Sequence, residues 1–370
     1  MKILIAGDYR PNNNDTDIFK QRKYDVIFDE IKAVTQKVDY SIVNLESPVV
    51  IGGAKPINKC GPNLRCDENG VEAIKWAGFN CVTLANNHFY DFGDTGVKNT
   101  IDCCKNTGLD VVGGGANLQE ASKVLYKSIN GQTFAVINCC EHEFSIATDS
   151  HGGSNPLNPI RQYYAIKEAR EKADYVLVIV HGGHEHWQLP SPRMVETYRF
   201  FIEVGADAVI NHHQHCYSGY EVYNGKPIFY GLGNFYYYAS PSSQLWEEGY
   251  MVLLDFCENI VWRILPYKQC STCHHVKLLP EDTFNTSFGE INSIIENDER
   301  LLSETERYYK KAEKSIKYYF EPTNALFRSL QVRGLIPSLI KNKQLLVISN
   351  LLNCESHRDK VLFWSNKDNL

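Results

Sequence analysis

Short apolar runs alternate along the first two thirds of the chain with segments in which apolar residues recur at helical spacing. Continuous apolar runs are typical of strands buried on both faces of a parallel sheet, and the longer period is typical of helices that cover such a sheet. The buried strands predicted in this way are Lys2–Ala6, Tyr40–Val43, Cys81–Ala85, Leu109–Val112, Tyr175–Val180, Ala206–Ile210 and Pro227–Tyr230. The predicted helices are Asp25–Gln36, Glu68–Trp76, Val97–Asn106 and Val195–Val204. This alternation predicts an α/β fold.

Turn residues and a change of composition organise the rest of the chain. The strands predicted to pair in antiparallel fashion are Val124–Ile129 with Thr133–Asn138 and Tyr250–Phe256 with Ile260–Leu265. Asn130-Gly131 is typical of the two-residue turn that closes the first of these pairs. From about Ser287 the composition shifts to Glu, Lys, Tyr and Ile at helical spacing, as in Asn292–Phe320 and Gln344–Leu352. We therefore predict a domain over residues 1–286 and a helical extension over residues 287–370, which packs on the core or forms a homo-oligomer surface.

Charge and hydropathy exclude some functions. The 370 residues carry a formal net charge of −6, which gives no general attraction to nucleic acid or to an anionic membrane. The apolar run at Met1–Ala6 is too short for a signal peptide, and no run in the sequence approaches the ~20 residues that span a bilayer. We therefore predict a cytoplasmic location and no nucleic-acid partner.

The twelve cysteines are scattered over the chain, and several fall within predicted strands or helices. With no export signal in view, this distribution favours reduced thiols over a disulfide framework. Cys270-Ser-Thr-Cys273-His274 matches the short motif of covalent haem attachment, but a lone pair of cysteines also occurs in ordinary loops, and we favour the loop.

Residues that bind metals follow most of the predicted central strands. Asp8, Glu46, Asn87 with His88, His181, and His213 with His215 each stand just after a buried strand. Ligands bind at the carboxyl ends of strands in open α/β sheets, so these side chains are expected at one edge. Each residue alone is equally well explained as a turn former, a surface acid or a hydrogen-bonded core histidine. Their joint occurrence predicts a metal site.

The mixture of donors indicates which metals the site would take. Carboxylate, carboxamide and imidazole groups suit Mn²⁺, Fe²⁺ or Zn²⁺, and the absence of cysteine among them argues against a closed structural zinc site. Two such ions ~3.5–4 Å apart would generate hydroxide and polarise a phosphoryl or carbonyl oxygen. His88 is not needed as a ligand if Asn87 coordinates, so it is free to donate a proton as a general acid.

Several segments together resemble the CapA family of poly-γ-glutamate capsule synthesis proteins, which are similar to calcineurin-like metallophosphoesterases. The segments are Ala6-Gly-Asp8, Asn44-Leu-Glu46, Leu84-Ala-Asn-Asn-His-Phe-Tyr-Asp-Phe-Gly93, His181-Gly-Gly-His-Glu185, Gly205-Ala-Asp-Ala-Val-Ile-Asn-His-His-Gln-His215 and Phe229-Tyr-Gly-Leu-Gly-Asn-Phe235. The resemblance covers about Lys2 to Phe256. It implies a four-layer α/β/β/α sandwich of metallophosphoesterase type with a dinuclear metal site at the strand ends.

The resemblance also implies roles for single residues. Asp8, Glu46, Asn87, His181, His213 and His215 match metal ligands, with Glu46 at the bridging position, and His88 with Asn87 matches the family's Asn-His pair. Arg10, Asp91, Glu185 and Asn234 are interpreted as residues that support the ligands or contact substrate. The chain departs from the family at two positions and from metallophosphoesterases proper at a third. Gly182 replaces a usual Trp, Asn211 replaces a usual Gly, and Arg10 stands where metallophosphoesterases carry His.

Two functions of different classes fit these expectations. The first is a dinuclear metal-dependent hydrolase that acts on a phosphoester, or on an amide or other bond, in capsule or cell-surface polymer biosynthesis. The second is a non-catalytic accessory subunit that binds metal or polymer within a poly-γ-glutamate or polysaccharide synthesis complex. The expected partners are an anionic polymer, a saccharide or a phosphoester, and other capsule-synthesis proteins. Aromatic residues such as Trp187, Tyr236–Tyr238 and Trp246 suit either sugar stacking or rim packing.

Overall fold

A computed structural model of the chain describes residues 1–11, 16–237, 244–257, 260–270, 274–320, 326, 329–330, 333–335 and 341–366. Its described residues form two large sheets, of eight and six strands, and a small two-stranded sheet. The strands are β1 Lys2–Arg10, β2 Tyr40–Leu45, β3 Cys81–Thr83, β4 Asp110–Val112, β5 Gly114–Gly115, β6 Leu125–Ile129, β7 Gln132–Cys140, β8 Gly153–Ser154, β9 Tyr175–His181, β10 Ala208–His212, β11 Tyr220–Tyr223, β12 Lys226–Phe229, β13 Asn234–Tyr237, β14 Glu248–Phe256, β15 Ile260–Cys270 and β16 His275–Leu278.

Helices connect and cover the sheets. They are α1 Thr16–Lys20, α2 Asp25–Thr35, α3 Glu68–Trp76, α4 Gly93–Asn106, α5 Leu118–Ala121, α6 Pro159–Lys172, α7 Pro192–Val204, α8 Asn285–Ile295, α9 Asp298–Phe320, α10 Asn342–Asn353 and α11 Glu355–Asn366. Among the described residues, no helix has both the length and the hydropathy that a membrane crossing requires.

The larger sheet has the order β16-β15-β14-β1-β2-β3-β4, and β13 pairs with the end of β1. Strands β1 to β4 are parallel, whereas β14 to β16 extend the sheet in antiparallel fashion. The second sheet has the order β11-β12-β10-β9-β7-β6, with β7, β9, β10 and β12 parallel. Parallel strands place their carboxyl ends at one edge, and this arrangement gives each sheet an edge that can carry ligands.

The two sheets pack face to face. Alternate residues of β1 point to opposite faces, so Ile3 and Ile5 join the core between the sheets while Leu4 and Ala6 join the core beneath α2, α3 and α4. The rings of Tyr40 on β2 and Phe134 on β7, one from each sheet, lie 5.1 Å apart. Helices α6 and α7 cover the outer face of the second sheet. The predicted four-layer α/β/β/α sandwich is therefore confirmed.

Most predicted elements are present, with differences that have identifiable causes. Strand β1 continues to Arg10 rather than ending at Ala6, because Asp8 to Arg10 pair with β13. Helix α6 was not predicted, because its buried positions lie among charged residues and form a weak apolar face. A start signal was present in Asn158, whose side chain accepts hydrogen bonds from the backbone N–H groups of Ile160 and Arg161 ahead of a proline at the first turn.

The C-terminal region is helical, as predicted, but its first long helical segment is divided into α8 and α9. Phe288 and Ile291 of α8 belong to the core between the sheets. The boundary predicted between residues 286 and 287 falls inside α8. For the cysteine motif, residues 271–273 lie outside the described part of the chain, so Cys273 has no structural account.

Arg193 at the start of α7 ties α11 to the sandwich. Its guanidinium lies 2.7 Å from Oε1 of Glu141 and 2.9 Å from Oδ2 of Asp359 on α11. The other oxygen of Glu141 accepts a hydrogen bond of 2.6 Å from the Ser356 hydroxyl. Glu141 is buried, so removal of the arginine would leave an uncompensated carboxylate in the interior.

Arg193→Met is expected to lower the free energy of unfolding by about 3 kcal/mol, because it leaves the buried Glu141 carboxylate without its cationic partner while keeping the aliphatic stem of the side chain. Urea unfolding followed by tryptophan fluorescence measures this change. Arg161→Met, at an exposed position on α6, is the matched control and should change stability by less than about 0.5 kcal/mol. Equal effects of the two substitutions would contradict the anchoring role of Arg193.

Candidate metal centre

The larger sheet contributes carboxylates and an amide to the shared edge. Asp8 lies near the end of β1, Glu46 follows the last residue of β2, and Asn87 with His88 follows β3. All four side chains are at least nine-tenths buried, and Glu46 is fully buried. They approach one another because β1, β2 and β3 are adjacent and parallel.

The second sheet contributes imidazoles to the same place. His181 is the last residue of β9, and it lies in register with His212, the last residue of β10. His213 and His215 follow with φ angles of +94° and +54°. Residues other than glycine rarely adopt this backbone conformation, and it occurs most often where function holds it in place. The strained turn directs both rings toward the carboxylates of the first sheet.

Glu46 shows that the site is built for a cation. Neither of its carboxylate oxygens has a hydrogen-bond partner among the described residues. Its Oε1 lies 3.5 Å from Nε2 of His215 and 3.8 Å from Nε2 of His181. Burial, with the nearby charge of Asp8, raises the pKa of Glu46 well above its ordinary value. A buried carboxylate without partners is costly, and a bound cation would remove that cost.

The potential ligands form two groups that share Glu46. One group contains Asp8, Glu46 and His215, and the other contains Glu46, His181 and His213. Within each group the ligand atoms lie within 4.8 Å of one another. Oδ1 of Asn87 lies 3.1 Å from Nε2 of His181 and so borders the second group. The six predicted ligands thus lie together, and their donor set fits two divalent ions bridged by one carboxylate.

Asp8 is held by residues that the sequence analysis did not single out. Its Oδ1 accepts a hydrogen bond of 2.7 Å from the Asn44 side chain and lies 3.3 Å from Nδ1 of His212. Its Oδ2 accepts a hydrogen bond of 3.1 Å from the backbone N–H of His213. Burial raises the pKa of Asp8, but His212, His181 and His215 outweigh it and lower the pKa below its ordinary value. The Asn44-Leu-Glu46 motif contained the signal for Asn44.

Asn234 orients one of the predicted ligands. Its side-chain oxygen lies 3.0 Å from Nδ1 of His215, while its amide nitrogen donates to the backbone carbonyls of His215 and Trp246. The donations fix the amide orientation, so Nδ1 of His215 is the protonated nitrogen and Nε2 faces Glu46. Asn234 reaches this position because β13 pairs with β1 at Asp8.

His88 stands beside the ligands in a separate network. Its Nδ1 lies 2.7 Å from Oδ2 of Asp91, and Asp91 forms an ion pair with Lys59. Asp91 is fully buried and also accepts a hydrogen bond of 2.6 Å from the backbone N–H of Leu64. Burial lowers the pKa of His88, and the Lys59 charge lowers it further. Lys59 gave no signal in the sequence, because it lies in a Gly/Pro-rich loop without a recognisable pattern.

The remaining predicted site residues lie at the rim. Glu185 is half-exposed, with 49% of its side chain accessible. Arg10 is half-buried at the end of β1, with its guanidinium carbon 5.4 Å from the centroid of the Tyr237 ring. Trp187 stacks on Tyr308 of α9 with ring centroids 4.4 Å apart, so one face of this indole is used for packing. Tyr238 lies outside the described residues.

Two departures from the family pattern have structural reasons. A Cβ atom at Gly182 would lie 2.7 Å from Cγ of Glu141, so glycine provides the space for the carboxylate that binds Arg193 and Ser356. Asn211 donates hydrogen bonds of 2.9 Å to the carbonyls of Gly182 and Tyr230 and therefore links the loops after β9 and β12. Both residues position the loops that carry the histidines.

The family profile described as "Bacterial capsule synthesis protein PGA_cap" matches residues 2–239 of this chain. The chain belongs to this family, and the predicted resemblance is confirmed. The matched segment contains all the predicted ligands together with His88, Asp91 and Asn234. The C-terminal helices lie outside the match.

Curated relatives carry capsule-synthesis names. "Capsule biosynthesis protein CapA" of Bacillus anthracis is 32% identical over 243 residues, which are 64% of this chain and 59% of the relative. "PGA biosynthesis protein CapA" of Bacillus subtilis strain 168 is 31% identical over 238 residues, 64% of this chain and 63% of the relative. The chain thus spans about six tenths of the length of these relatives.

Solved structures are more distant. A protein titled "novel phosphatase" from Mycoplasma pneumoniae overlaps 72% of this chain and 92% of its own chain, with 14% identity and a TM-score of 0.45. A 5'-nucleotidase precursor from Thermus thermophilus overlaps 80% of this chain and 59% of its own, with 12% identity and a TM-score of 0.44. These overlaps are loose, and the assignment of the chain depends on the family match.

Glu46→Gln removes a buried negative charge with little change of shape. The metal-free variant is expected to be at least as stable as the metal-free wild type, since it no longer buries a carboxylate beside Asp8. Stabilisation by Mn²⁺, about 2.7 kcal/mol for the wild type at 100 times Kd, should disappear. Unfolding with and without Mn²⁺ after chelation measures both effects. Glu171→Gln is the exposed control, and full Mn²⁺ stabilisation of Glu46→Gln would refute the bridging role.

Asn234→Ala should weaken Mn²⁺ binding by roughly 10- to 100-fold, because His215 loses the acceptor that fixes its tautomer and ring plane. Isothermal titration calorimetry on metal-free protein measures the affinity. Asn99→Ala, on the surface of α4, provides the control and should bind as the wild type does. Unchanged affinity in the folded Asn234 variant would show that His215 does not need this support.

Proposed function

We propose that this protein is a dinuclear metal-dependent hydrolase that cleaves a phosphoester, or an amide or other bond, in a capsule or cell-surface polymer or its precursor. The observation that carries the proposal is the buried His88–Asp91 pair, 2.7 Å apart, beside two ligand groups that share Glu46. A site that only bound metal would need the ligand groups but would have no use for a supported proton donor.

The predicted site residues would have different roles in hydrolysis. Asp8, Glu46, Asn87, His181, His213 and His215 would hold two divalent ions, of the Mn²⁺, Fe²⁺ or Zn²⁺ class. When bound, such ions supply Lewis-acid polarisation of the scissile group and make water a better nucleophile. Half-exposed Glu185 and half-buried Arg10 would contact the substrate.

Proton transfer to the leaving group is assigned to His88. Oδ2 of Asp91 lies 2.7 Å from Nδ1 of His88 and would hold a proton on that nitrogen, so that Nε2 would be the nitrogen that faces the substrate. Lys59 neutralises Asp91 and holds it in place through their ion pair. Burial lowers the pKa of His88, which makes its imidazolium a stronger acid but reduces the fraction of His88 that is protonated at neutral pH.

The substrate class is inferred from the names of relatives. The Bacillus relatives are named for capsule and PGA biosynthesis, which suggests an anionic polymer or its precursor and other capsule-synthesis proteins as partners. A second candidate function, a non-catalytic accessory subunit, is favoured by Mycobacterium tuberculosis relatives, 26% identical over 213 residues, whose names contain the words "polyglutamine synthesis accessory protein".

Hydrolysis of an aryl phosphate and an aryl phosphodiester with Mn²⁺ separates the two functions. His88→Ala should retain its bound metal but lose roughly 10²- to 10⁴-fold in kcat, because only proton transfer is affected. His213→Ala should lose both metal and turnover. Metal content by plasma mass spectrometry and initial rates are measured on the same samples.

His275→Ala, at the start of β16 on the edge of the larger sheet, is the matched control and should keep full activity. Wild-type protein that binds two ions but hydrolyses neither these esters nor a γ-glutamyl amide would support the accessory subunit. Equal activity of the His88 variant and the wild type would refute the assigned acid.

A further inference from the structure

A second type of metal-ligand cluster lies between the sandwich and the C-terminal helices. It consists of Glu143, in the loop after β7, Cys354, between α10 and α11, and His357, in the first turn of α11. One ligand atom of each residue lies within 4.8 Å of the other two. We propose that these three residues bind a zinc-class divalent ion, which is separate from the predicted dinuclear centre and joins the C-terminal extension to the catalytic domain.

The donor set differs in kind from that of the dinuclear centre. Thiolate, imidazole and carboxylate together suit Zn²⁺ or Co²⁺, whereas the groups around Glu46 contain no sulfur. With Zn–S of ~2.3 Å and Zn–N of ~2.0 Å, tetrahedral ligands lie about 3.5 Å apart. The present spacing therefore needs only small side-chain adjustments to close around an ion. Three protein ligands leave one position for water.

Local contacts restrain the Cys354 thiol and the His357 imidazole. Cys354 is 1% exposed and directly precedes α11, and the backbone N–H of His357 hydrogen-bonds to its sulfur. The side-chain amide of Asn350 lies 3.0 Å from Nδ1 of His357 and restrains the ring. Cys354 and His357 are three residues apart, which places them on one face of the first helical turn.

Two carboxylates lie close to the Cys354 thiol. Besides Glu143, the carboxylate of Glu141 accepts a hydrogen bond of 3.7 Å from the Cys354 thiol. Burial and these two carboxylates raise the pKa of Cys354. A bound ion would displace the proton of the Cys354 thiol to solvent. Its positive charge would offset the negative charges of the thiolate and of Glu143. A cleft lined by His142, Glu143, Glu355 and Arg358 provides an entry path.

The position of the cluster suggests its use. Glu143 lies within the family match at residues 2–239, whereas Cys354 and His357 lie beyond it. Helix α11 also carries Ser356 and Asp359, which bind Glu141 and Arg193. A bound ion would add a metal link to these polar contacts and fix α11 against the loop that follows β7.

Replacement by Co²⁺ tests the proposal independently of activity. Metal-free protein titrated with Co²⁺ under anaerobic conditions should develop the near-ultraviolet charge-transfer absorption that marks a thiolate–cobalt bond. Cys354→Ser should lack this absorption, and Cys257→Ser, which removes an exposed thiol after β14, should keep it. His357→Gln should retain it with Co²⁺ affinity weakened by more than about tenfold.

Glu46→Gln separates this proposal from the proposed function. This variant disables the dinuclear centre but should still develop the thiolate–cobalt absorption. Folding of each variant is checked by circular dichroism, so that a missing signal is not confused with an unfolded chain. A folded wild type that shows no thiolate–cobalt absorption when saturated, or a Cys354→Ser variant that keeps it, would overturn the site.

Discussion

The burial of Glu46 is the constraint on which the rest of the structure depends. A carboxylate with no hydrogen-bond partner among the described residues, at the junction of two sheets, costs several kcal/mol unless a cation compensates it. The arrangement around it follows from that need. Asp8 and the imidazoles of His181 and His215 face Glu46. The backbone at His213 and His215 adopts positive φ angles, which direct both rings toward it. Asn234 fixes the ring of His215. The sandwich is rigid enough to hold this strained arrangement because both sheets pack their apolar faces together.

The C-terminal helices are part of the same construction rather than a detached tail. Glu141 lies between Arg193 and Ser356, and the missing side chain at Gly182 gives it space. Trp187, in the loop that follows His181, stacks on Tyr308 of α9. The loops that carry predicted ligands and rim residues are therefore packed from outside by helices that the family match does not include. A change in these helices is therefore expected to alter the positions of the loops that carry the histidines.

The strands and the residues at their ends could be predicted from sequence because both are local signals. A buried parallel strand is a continuous apolar run, and the ligand follows it within one to three residues, so Asp8, Glu46, Asn87, His181 and His213 could be singled out one by one. The hairpin at Asn130-Gly131 was equally local, since both residues adopt the positive φ angles that its turn type requires. The four-layer order followed from the family resemblance, because the apolar runs by themselves do not say which sheet a strand joins.

What the sequence by itself determined is the set of buried central strands and the chemistry at their carboxyl ends. Tertiary structure alone decided the contacts that support that chemistry. His212 and Asn44 contact Asp8, Lys59 pairs with Asp91, and the pairing of β13 with β1 brings Asn234 to His215. Cys354 and His357 meet Glu143 across more than two hundred residues of chain. Each of these contacts joins segments that are distant in sequence, and such contacts are set by how sheets and helices pack, which no local pattern of apolar and polar residues records.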